Sequence, residues 1–264
     1  MKYSFAAKRA LSRFHFKSTA RVALVVGATA LTAMHLSANP TGYAGEDLGV
    51  LGTGSHPNSN TAYNLFYSDA SSIGSVSLLT FESSPLGAFS SLTPAAGVTV
   101  TGTDFFGNHQ TIRDTTDFPS SPTLDGSNTT PGGANFIEEI GGTVTFSFAT
   151  PINSFGAWLT GVQDFTQDLV TFSDGTSWYL NVPENGTSNS KGAVDFVGIT
   201  DAGKSISSIT IFAGNNSYDA IGIDDVSYGE HVSTTPEPGS VVLMLTGCLA
   251  FGLLLWQRRS AQAL

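Results

Sequence analysis

The sequence predicts an all-β body between two hydrophobic ends, and three observations support that fold class. Short runs that alternate between apolar and polar residues recur from about residue 75 to residue 230, with turn residues between them. Glycine and proline account for 29 and 11 of the 264 residues, which favours strands and turns over helices. No window of 12 or more residues outside the two ends has the apolar stripe of an amphipathic helix. We therefore expect a sandwich or barrel with no helix in its body.

The individual strands follow from the period-two pattern. In the clearest run, Val144, Phe146 and Phe148 are separated by single polar residues. Side chains two positions apart lie on one face of a strand, so each run buries one face and exposes the other. The runs lie at residues 76–81, 98–101, 144–148, 155–159, 194–199, 209–211 and 221–223. Residues 75–230 can bury a core as one domain without disulfides.

The Asp174-Gly175 pair predicts a hairpin with a defined register. A three-residue loop with Gly175 in the left-handed region places four large apolar side chains on one buried face. Those side chains are Val170, Phe172, Trp178 and Leu180. A two-residue turn would send Trp178 to the opposite face. We predict the three-residue loop, because exposing these side chains would cost several kcal/mol.

Two stretches lack a clear pattern. Residues 45–74 are polar, and we expect a loose N-terminal arm or one edge strand there. Residues 105–142 contain three prolines and a Gly132-Gly133 pair, which indicates a long irregular loop. A loop of that length in a compact domain is usually mobile or functional.

Charge is divided among three regions of the chain. Six of the 11 basic residues precede residue 22, whereas residues 45–235 carry 20 acidic and 3 basic residues, a net charge of −17. Such an acidic body argues against nucleic-acid binding, which needs a basic surface. The single cysteine, Cys248, excludes a disulfide framework and a zinc site built from several cysteines.

Residues 1–44 have the pattern of a secretory signal peptide. Basic residues end at Arg21, and the uncharged stretch 22–34 is too short to span a membrane comfortably. Gly42-Tyr43-Ala44 fits the small-x-small cleavage pattern, so we expect cleavage after Ala44. Cleavage after Ala38 is the alternative, which would place Leu36 at the −3 position, and an uncleaved anchor is a second alternative.

The C-terminus predicts a membrane helix after a short linker. Residues 231–239 contain Pro236-Glu237-Pro238, and residues 240–256 are uncharged over a length of about 25 Å, the lower limit for a transmembrane helix in a thin bilayer. Arg258 and Arg259 lie in the basic tail 257–264, which the positive-inside rule places in the cytoplasm. On hydropathy alone, a plain tail anchor explains this segment equally well.

These three parts in this order resemble the PEP-CTERM sorting signal of Gram-negative bacteria. The resemblance implies export through the inner membrane and recognition by an exosortase, which cuts near Pro236-Glu237-Pro238. It also implies a final location at the cell surface or outside the cell. Members of that family commonly occur beside exopolysaccharide loci and are tied to biofilm matrices.

The body is similar to PEP-CTERM ectodomains and to jelly-roll sandwiches of the carbohydrate-binding-module type. The similarity rests on Thr80-Phe81-Glu82, Phe155-Gly156-Ala157, Phe172-Ser173-Asp174-Gly175 and Ile223-Asp224-Asp225-Val226. It implies a jelly-roll-like antiparallel β-sandwich, flanked by the signal helix and the transmembrane helix. It also implies a structural calcium ion held by Glu82 and by Asp224 or Asp225, since calcium prefers carboxylate and carbonyl oxygens. The alternative is that one aspartate caps a turn and the other is solvated.

The sequence carries no recognisable catalytic motif, and we expect no enzyme. There is no Gly-x-Ser-x-Gly elbow, and Glu138 and Glu139 point to opposite faces of a strand, so they cannot flank one bond. Phe105, Phe106, Trp158 and Tyr179 fall out of phase with the core residues and could stack on sugars or fill the second face of the sandwich. We expect a structural or adhesive role in an extracellular polymer. A lectin-like module, which calcium could assist, is the alternative, and a hydrolase is a weaker one.

Overall fold

The computed structural model describes residues 40–116, 121–164, 168–180, 183, 188–201, 203, 205–213, 219–230, 247–248 and 251. All of them belong to one compact unit, Pro40–Leu264. Its elements are β1 (Thr41–Leu48), α1 (Pro57–Ile73), β2 (Val76–Leu79), β3 (Gly87–Phe89), β4 (Leu92–Ala95), β5 (Val98–Thr103), β6 (Gln110–Arg113), a 3-10 helix (Pro122–Leu124), β7 (Phe136–Ile140), β8 (Thr143–Asp164), β9 (Asp168–Phe172), β10 (Ser177–Leu180), β11 (Ser188–Thr200), β12 (Ile206–Ile211) and β13 (Ala220–Glu230).

The 22-residue strand β8 belongs to both layers of an antiparallel sandwich. Its first part, residues 143–148, pairs with β5 on one edge and β12 on the other. The first layer therefore has the order β4-β5-β8-β12-β9-β10. The second part, residues 152–164, pairs with β11 and β13. The second layer has the order β1-β11-β8-β13. Two further strands pair with different parts of β13: β2, and β7, which is followed in the sheet by β6 and β3.

The core lies between the two layers and contains side chains from both. Val144 and Phe146 of the first layer are fully buried, and the ring of Phe146 lies 5.5 Å from that of Phe155 in the second. The alternating positions Thr145 and Ser147 face outward and are at least partly exposed. The prediction of an all-β body with period-two burial is confirmed.

The predicted hairpin register is also confirmed. Val170 pairs with Trp178, and three residues, 173–175, lie between the hydrogen-bonded Phe172 and Thr176, with Gly175 at a φ of 81°. The backbone N–H of Phe172 donates to the carbonyl of Thr176 at 2.9 Å and closes the loop. Val170, Phe172 and Leu180 are buried, and Trp178 packs against the same core.

The expectation of no helix between the two hydrophobic ends is wrong, because residues 57–73, which precede the predicted sandwich, form α1. The N-terminal arm predicted for residues 45–74 is also incorrect, except that residues 45–48 complete the edge strand β1. The helix packs Ala62, Phe66 and Ala70 onto the outer face of the second layer, against Tyr43, Trp158, Val194 and Phe196. Its buried residues are one serine, two alanines and a single phenylalanine, which gives little hydropathic signal.

The prediction of irregular structure over residues 105–142 is only partly correct. This segment contains β6, the 3-10 helix and β7. Residues 125–135, which we call the clamp loop, have no regular secondary structure beyond an isolated bridge.

Candidate functional site

The clamp loop and the 3-10 helix before it lie directly on the strands of the second layer because glycines there leave room for them. Gly161 of β8 has a φ of 73°, and a Cβ atom on it would collide with the backbone of Asp125. Gly192 of β11 has a φ of 70°, and a Cβ atom there would collide with the carbonyl of Thr123. Both positions thus require glycine for backbone conformation and for space. This contact places the loop beside the first half of β13, where Asp125 forms a bridge with Ala220.

Asp224 of β13 binds the clamp loop through a fully buried carboxylate. Its Oδ2 accepts hydrogen bonds from the backbone N–H groups of Thr129 at 2.8 Å and of Thr130 at 3.2 Å. It also lies 3.1 Å from Nδ2 of Asn128. Two backbone donors and an amide thus converge on one carboxylate oxygen, which fixes the loop to β13.

Asp225 binds the same loop from a strained position. Its φ is 45°, and β13 shifts register against β8 between Asp224 and Ser227. This bulge turns the Asp225 carboxylate toward the hydroxyls of Thr129, at 3.0 Å, and Thr130, at 2.7 Å. Strained backbone of this kind persists only where the surrounding structure holds it, and here the loop contacts do so.

Glu82, which follows β2, contacts the other end of the clamp loop. Its carboxylate accepts hydrogen bonds from the backbone N–H groups of Ala134 at 3.0 Å and Asn135 at 3.1 Å. The preceding residue, Phe81, also has a positive φ, 58°. A side chain at position 133 would collide with the Glu82 carboxylate, so Gly133 is needed for this close approach.

Glu82 and Asp224 meet at the side-chain amide of Asn128. Three oxygens surround its Nδ2 atom: Glu82 Oε1 at 2.9 Å, Asp224 Oδ2 at 3.1 Å and the carbonyl of Asn135 at 3.2 Å. A primary amide has two hydrogens, so it cannot satisfy all three acceptors. Asn128 Oδ1 and Asp224 Oδ1 are buried and have no hydrogen-bond partner. We call Glu82, Asn128, Asn135 and Asp224 the carboxylate clamp.

The buried position of Asp224 disfavours the ionised form of its carboxyl group. Burial raises its pKa to about 7, and the negative charge of Asp225 contributes to the increase. The backbone donors of Thr129 and Thr130 act in the opposite direction but only partly compensate. A cation between Asp224 and Glu82 would remove this penalty.

The residues of the carboxylate clamp fit a calcium ion. If the Asn128 amide rotates by 180°, Oδ1 takes the place of Nδ2. The carboxylates of Glu82 and Asp224, the Asn128 amide oxygen and the Asn135 carbonyl would then supply four oxygen ligands. Calcium takes six to eight such oxygens, with water completing the set. Two of these four donors are an amide and a main-chain oxygen, and within the described ranges no group of three or more His, Cys, Asp or Glu side chains is arranged to hold a metal.

Of the three calcium ligands predicted from the sequence, two lie together in the structure and the third has a different role. Glu82 and Asp224 are brought to the same amide nitrogen, 142 positions apart in the numbering. Asp225 binds threonine hydroxyls of the clamp loop and supports the loop. Sequence reasoning missed Asn128 and Asn135. The only local signal for them is their place in a glycine- and proline-rich segment.

The remaining residues singled out in the sequence have structural roles or lie elsewhere. Glu138 pairs with Arg113 at 3.2 Å, and burial raises its pKa to about 7, although Arg113 opposes this. Glu139 accepts a hydrogen bond from the N–H of Ala213 at 3.4 Å. Trp158 is buried beneath α1, 4.9 Å from the ring of His56, and so fills the second face of the sandwich.

The predicted sorting residues Pro236, Glu237, Pro238, Arg258 and Arg259 lie outside the described residues. Most of the predicted transmembrane segment, residues 240–256, also lies outside them. In the part of the chain that is described, no helix has both the length and the apolar character that crossing a membrane requires.

No protein-family model and no curated protein matches this chain. Among solved structures, the K2 cleaved adhesin domain of Lys-gingipain matches 58% of this chain and 99% of its own, at 16% identity and a TM-score of 0.34. A mutant of the carbohydrate-binding module CBM29-2 matches over 59% of this chain and 91% of the module, at 12% identity and a TM-score of 0.32. The enzymatically active domain of tailspike protein 4 of bacteriophage CBA120 matches over 60% of this chain and 21% of its own, at 19% identity and a TM-score of 0.32. Similarity at this level carries no argument about what this chain binds.

Proposed function

We propose that this protein is an exported cell-surface or extracellular-matrix protein with a structural or adhesive role, whose sandwich is fastened by calcium. The observation that carries the proposal is the convergence of Glu82 Oε1, Asp224 Oδ2 and the Asn135 carbonyl on the single amide nitrogen of Asn128. Two carboxylates and a carbonyl around one donor make a site that is electrostatically incomplete without a cation.

Calcium in this clamp would supply positive charge and oxygen coordination. Glu82 follows β2, and Asp224 lies in β13, which pairs with β2 over residues 76–79. Asn128 and Asn135 lie near the two ends of the clamp loop. The four residues together would hold the loop against both strands, and the strained backbone at Phe81 and Asp225 would keep the carboxylates aimed inward.

The charge of the body supports an extracellular role with divalent cations. At a net charge of −17, residues 45–235 repel acidic polysaccharides unless a divalent cation bridges the two. Calcium-dependent association with a matrix is therefore consistent with both the clamp and the charge. An enzymatic role has no comparable support, since the buried Glu138 is engaged by Arg113.

Sorting by an exosortase is proposed from the C-terminal sequence. Pro236-Glu237-Pro238, an uncharged segment and the pair Arg258-Arg259 occur in the order of that signal. In this proposal the inner membrane holds the precursor, and exosortase releases the acidic body to the surface. Mass spectrometry of the mature C-terminus tests this step. An end near residue 237 supports it, and an intact C-terminus at Leu264 on the extracellular protein contradicts it.

The calcium clamp is tested by thermal unfolding of the purified protein in calcium and in chelator. We expect calcium to raise the melting temperature by several degrees, through binding to the folded state. Asp224→Asn should abolish most of this increase. The matched control is Asp174→Asn, which changes an exposed carboxylate that accepts hydrogen bonds from the N–H and the hydroxyl of Thr176 in the β9–β10 loop. An equal calcium response in wild type and Asp224→Asn would contradict the clamp.

A lectin-like function is the second candidate, and one observation favours it. Tyr179 lies on the outer face of the first layer with 56% of its surface exposed, where an aromatic ring can stack on a sugar. Phe105 and Phe106 are also exposed, with their ring centroids 5.4 Å apart. Glycan-array binding with stoichiometric affinity would favour a defined glycan over a general matrix role.

A further inference from the structure

The outer face of the first layer carries hydroxyl side chains in regular rows. These residues, which we call the hydroxyl face, are Thr99, Thr101, Thr103, Thr143, Thr145, Ser147, Thr171, Ser177, Ser208 and Thr210. They alternate with buried apolar residues on β5, β8, β12, β9 and β10, and each is exposed or half-buried. The rows are a product of strand pairing, because these residues come from separate parts of the chain.

The pairing register aligns the hydroxyls across strands. One row crosses all five strands without a break and consists of Thr99, Ser147, Ser208, Thr171 and Ser177. The next row begins with Thr101, Thr145 and Thr210 and ends at Leu169 and Tyr179. The Oγ1 atoms of Thr145 and Thr210 lie 2.9 Å apart, within hydrogen-bond distance. Strands repeat every ~4.8 Å, so a row of five strands extends over about 19 Å.

No residue of the hydroxyl face is charged, although the body carries a net charge of −17. Solvent-facing positions of a soluble sheet usually include charged side chains. Here the five strands present only hydroxyl, aliphatic and tyrosine side chains in these two rows. A second copy of the chain or an acidic polymer would bring its own negative charge to this protein, whereas an uncharged polymer would not be repelled.

The hydroxyl face is bounded by distinct features at its two ends. At the β5 end there is an open cavity of about 300 Å³, lined by Ser90, Gly102 and His109 and by four residues of the hydroxyl face itself: Thr101, Thr103, Thr143 and Thr145. At the β10 end lies the exposed ring of Tyr179. A hydroxyl can both donate and accept a hydrogen bond, as can the hydroxyls of a sugar, and the tyrosine ring offers an apolar surface for a sugar face.

From these features we infer that the hydroxyl face binds an uncharged polysaccharide chain laid across the strands, from the His109 cavity to Tyr179. This inference rests on the proposed extracellular-polymer role and specifies the polymer as neutral. The Thr145 and Thr210 hydroxyls, at the centre of their row, bond to the chain, and Tyr179 stacks against one of its sugars. The carboxylate clamp lies on the second layer and does not contact the bound polysaccharide.

The test compares binding of soluble neutral glucan, xylan and anionic alginate to the full-length protein by affinity electrophoresis and calorimetry. The variants are Thr145→Val with Thr210→Val, and Tyr179→Ala. Valine keeps the shape and strand preference of threonine but removes the hydroxyl. The matched control is Thr111→Val on β6 in the second layer. Circular dichroism and melting temperature confirm that each variant is folded.

We expect binding of at least one neutral polymer to weaken roughly tenfold or more in the Thr145/Thr210 variant, because two hydrogen bonds are lost, and to remain unchanged in the Thr111 variant. Equal weakening in the control, or unchanged binding in both face variants, overturns the inference while leaving the proposed function intact. Absence of any neutral binding, or a preference for alginate, also overturns it. The calcium-dependent melting of the same samples reports separately on the clamp, so the two failures are distinguishable.

Discussion

Asp47, near the end of β1, caps the N-terminus of α1 by accepting the backbone N–H of Ser59 at 2.8 Å. The same carboxylate accepts the N–H of Asn58 at 3.2 Å and the hydroxyl of Ser59 at 2.8 Å. His56, at the N-cap position itself, makes no such bond. The cap is thus supplied by the preceding strand, and it joins the edge of the sandwich to the helix that covers it.

Removal of this cap should destabilise the fold. We expect Asp47→Ala to lower the free energy of unfolding by about 1–2 kcal/mol, the usual effect of losing an N-terminal cap. Urea denaturation at pH 7 measures the change. Asp114→Ala, which alters an exposed acid after β6, is the control and should change stability by less than about 0.5 kcal/mol. Equal stability of Asp47→Ala and wild type would contradict the capping role.

The cap also predicts a pH dependence. Burial raises the pKa of Asp47, but the hydrogen bonds from Ser59 and Asn58 lower it more, so the net pKa lies below its ordinary value. The stabilisation is therefore present above the pKa of the unfolded state and is lost as the pH falls through the lower folded-state pKa. The stability difference between wild type and Asp47→Ala should shrink below about pH 4. A difference that stays constant down to pH 2.5 would contradict this assignment.

Asp224 predicts the opposite pH dependence in the absence of calcium. Its folded-state pKa is raised to about 7 by burial, so the stabilisation from its protonated form is present at low pH and lost as the pH rises through 7. In chelator, acidification from pH 8 to pH 5.5 should raise the melting temperature. Asp224→Asn should reduce this rise, and saturating calcium should also reduce it.

Glu138 supplies the control for that experiment, because burial raises its pKa to about 7 as well. Glu138→Gln should reduce the pH dependence in chelator and in calcium alike. Asp224→Asn should reduce it only in chelator. If calcium leaves the pH dependence of wild type unchanged, Asp224 does not bind the ion.

The sequence allowed prediction of those features whose signal is local. Alternation over five residues was sufficient to predict the inward face of β8, and Gly175 fixed the β9–β10 register. The helix α1 could not be predicted because its cap, Asp47, lies outside the helix and its buried stripe contains only one large apolar side chain, Phe66. Asn128 could not be predicted as part of the site because its partners lie 46 and 96 residues away. Its role is a property of tertiary structure.

A comparison of Gly192 with Gly175 distinguishes the cost of backbone strain from the cost of a steric collision. Gly192 and Gly175 both have a positive φ, but a Cβ atom on Gly192 would collide with the carbonyl of Thr123, whereas nothing lies within 4 Å of one on Gly175. Gly175→Ala should cost only the conformational strain, about 1–2 kcal/mol. Gly192→Ala should cost about 1–3 kcal/mol more, because the segment leading into the clamp loop must move. It should also weaken the calcium response of the melting temperature.

Urea denaturation of the two alanine variants, in calcium and in chelator, measures both effects. The strain at position 175 is far from the clamp loop in sequence and lies in a hairpin of the other layer, so its cost should be the same in the two buffers. If both variants lose equal stability and keep the full calcium response, the loop does not depend on its contact with β11.

The structure also bears on where the proposed signal peptide is cut. Strand β1 begins at Thr41 and pairs with β11 along its full length, from Thr41 opposite Thr200 to Leu48 opposite Ala193. Within it, Tyr43 is buried under α1, and its hydroxyl donates to Asp69 at 2.6 Å. Cleavage after Ala44 would remove half of this strand and the Tyr43 side chain.

We therefore predict that the mature protein begins at Asn39, after cleavage at Ala38, although the cleavage pattern in the sequence favours Ala44. Mass spectrometry of the N-terminus of the exported protein checks this directly. Ala38→Glu should cause the precursor to accumulate, since a large charged residue at the −1 position blocks the small-residue cleavage site. Ala44→Glu is the matched control: position 44 is exposed on β1, so export and processing should proceed normally. A mature N-terminus at Gly45, with a protein that still folds and melts cooperatively, would show that β1 is dispensable and that the edge of the second layer is formed by β11.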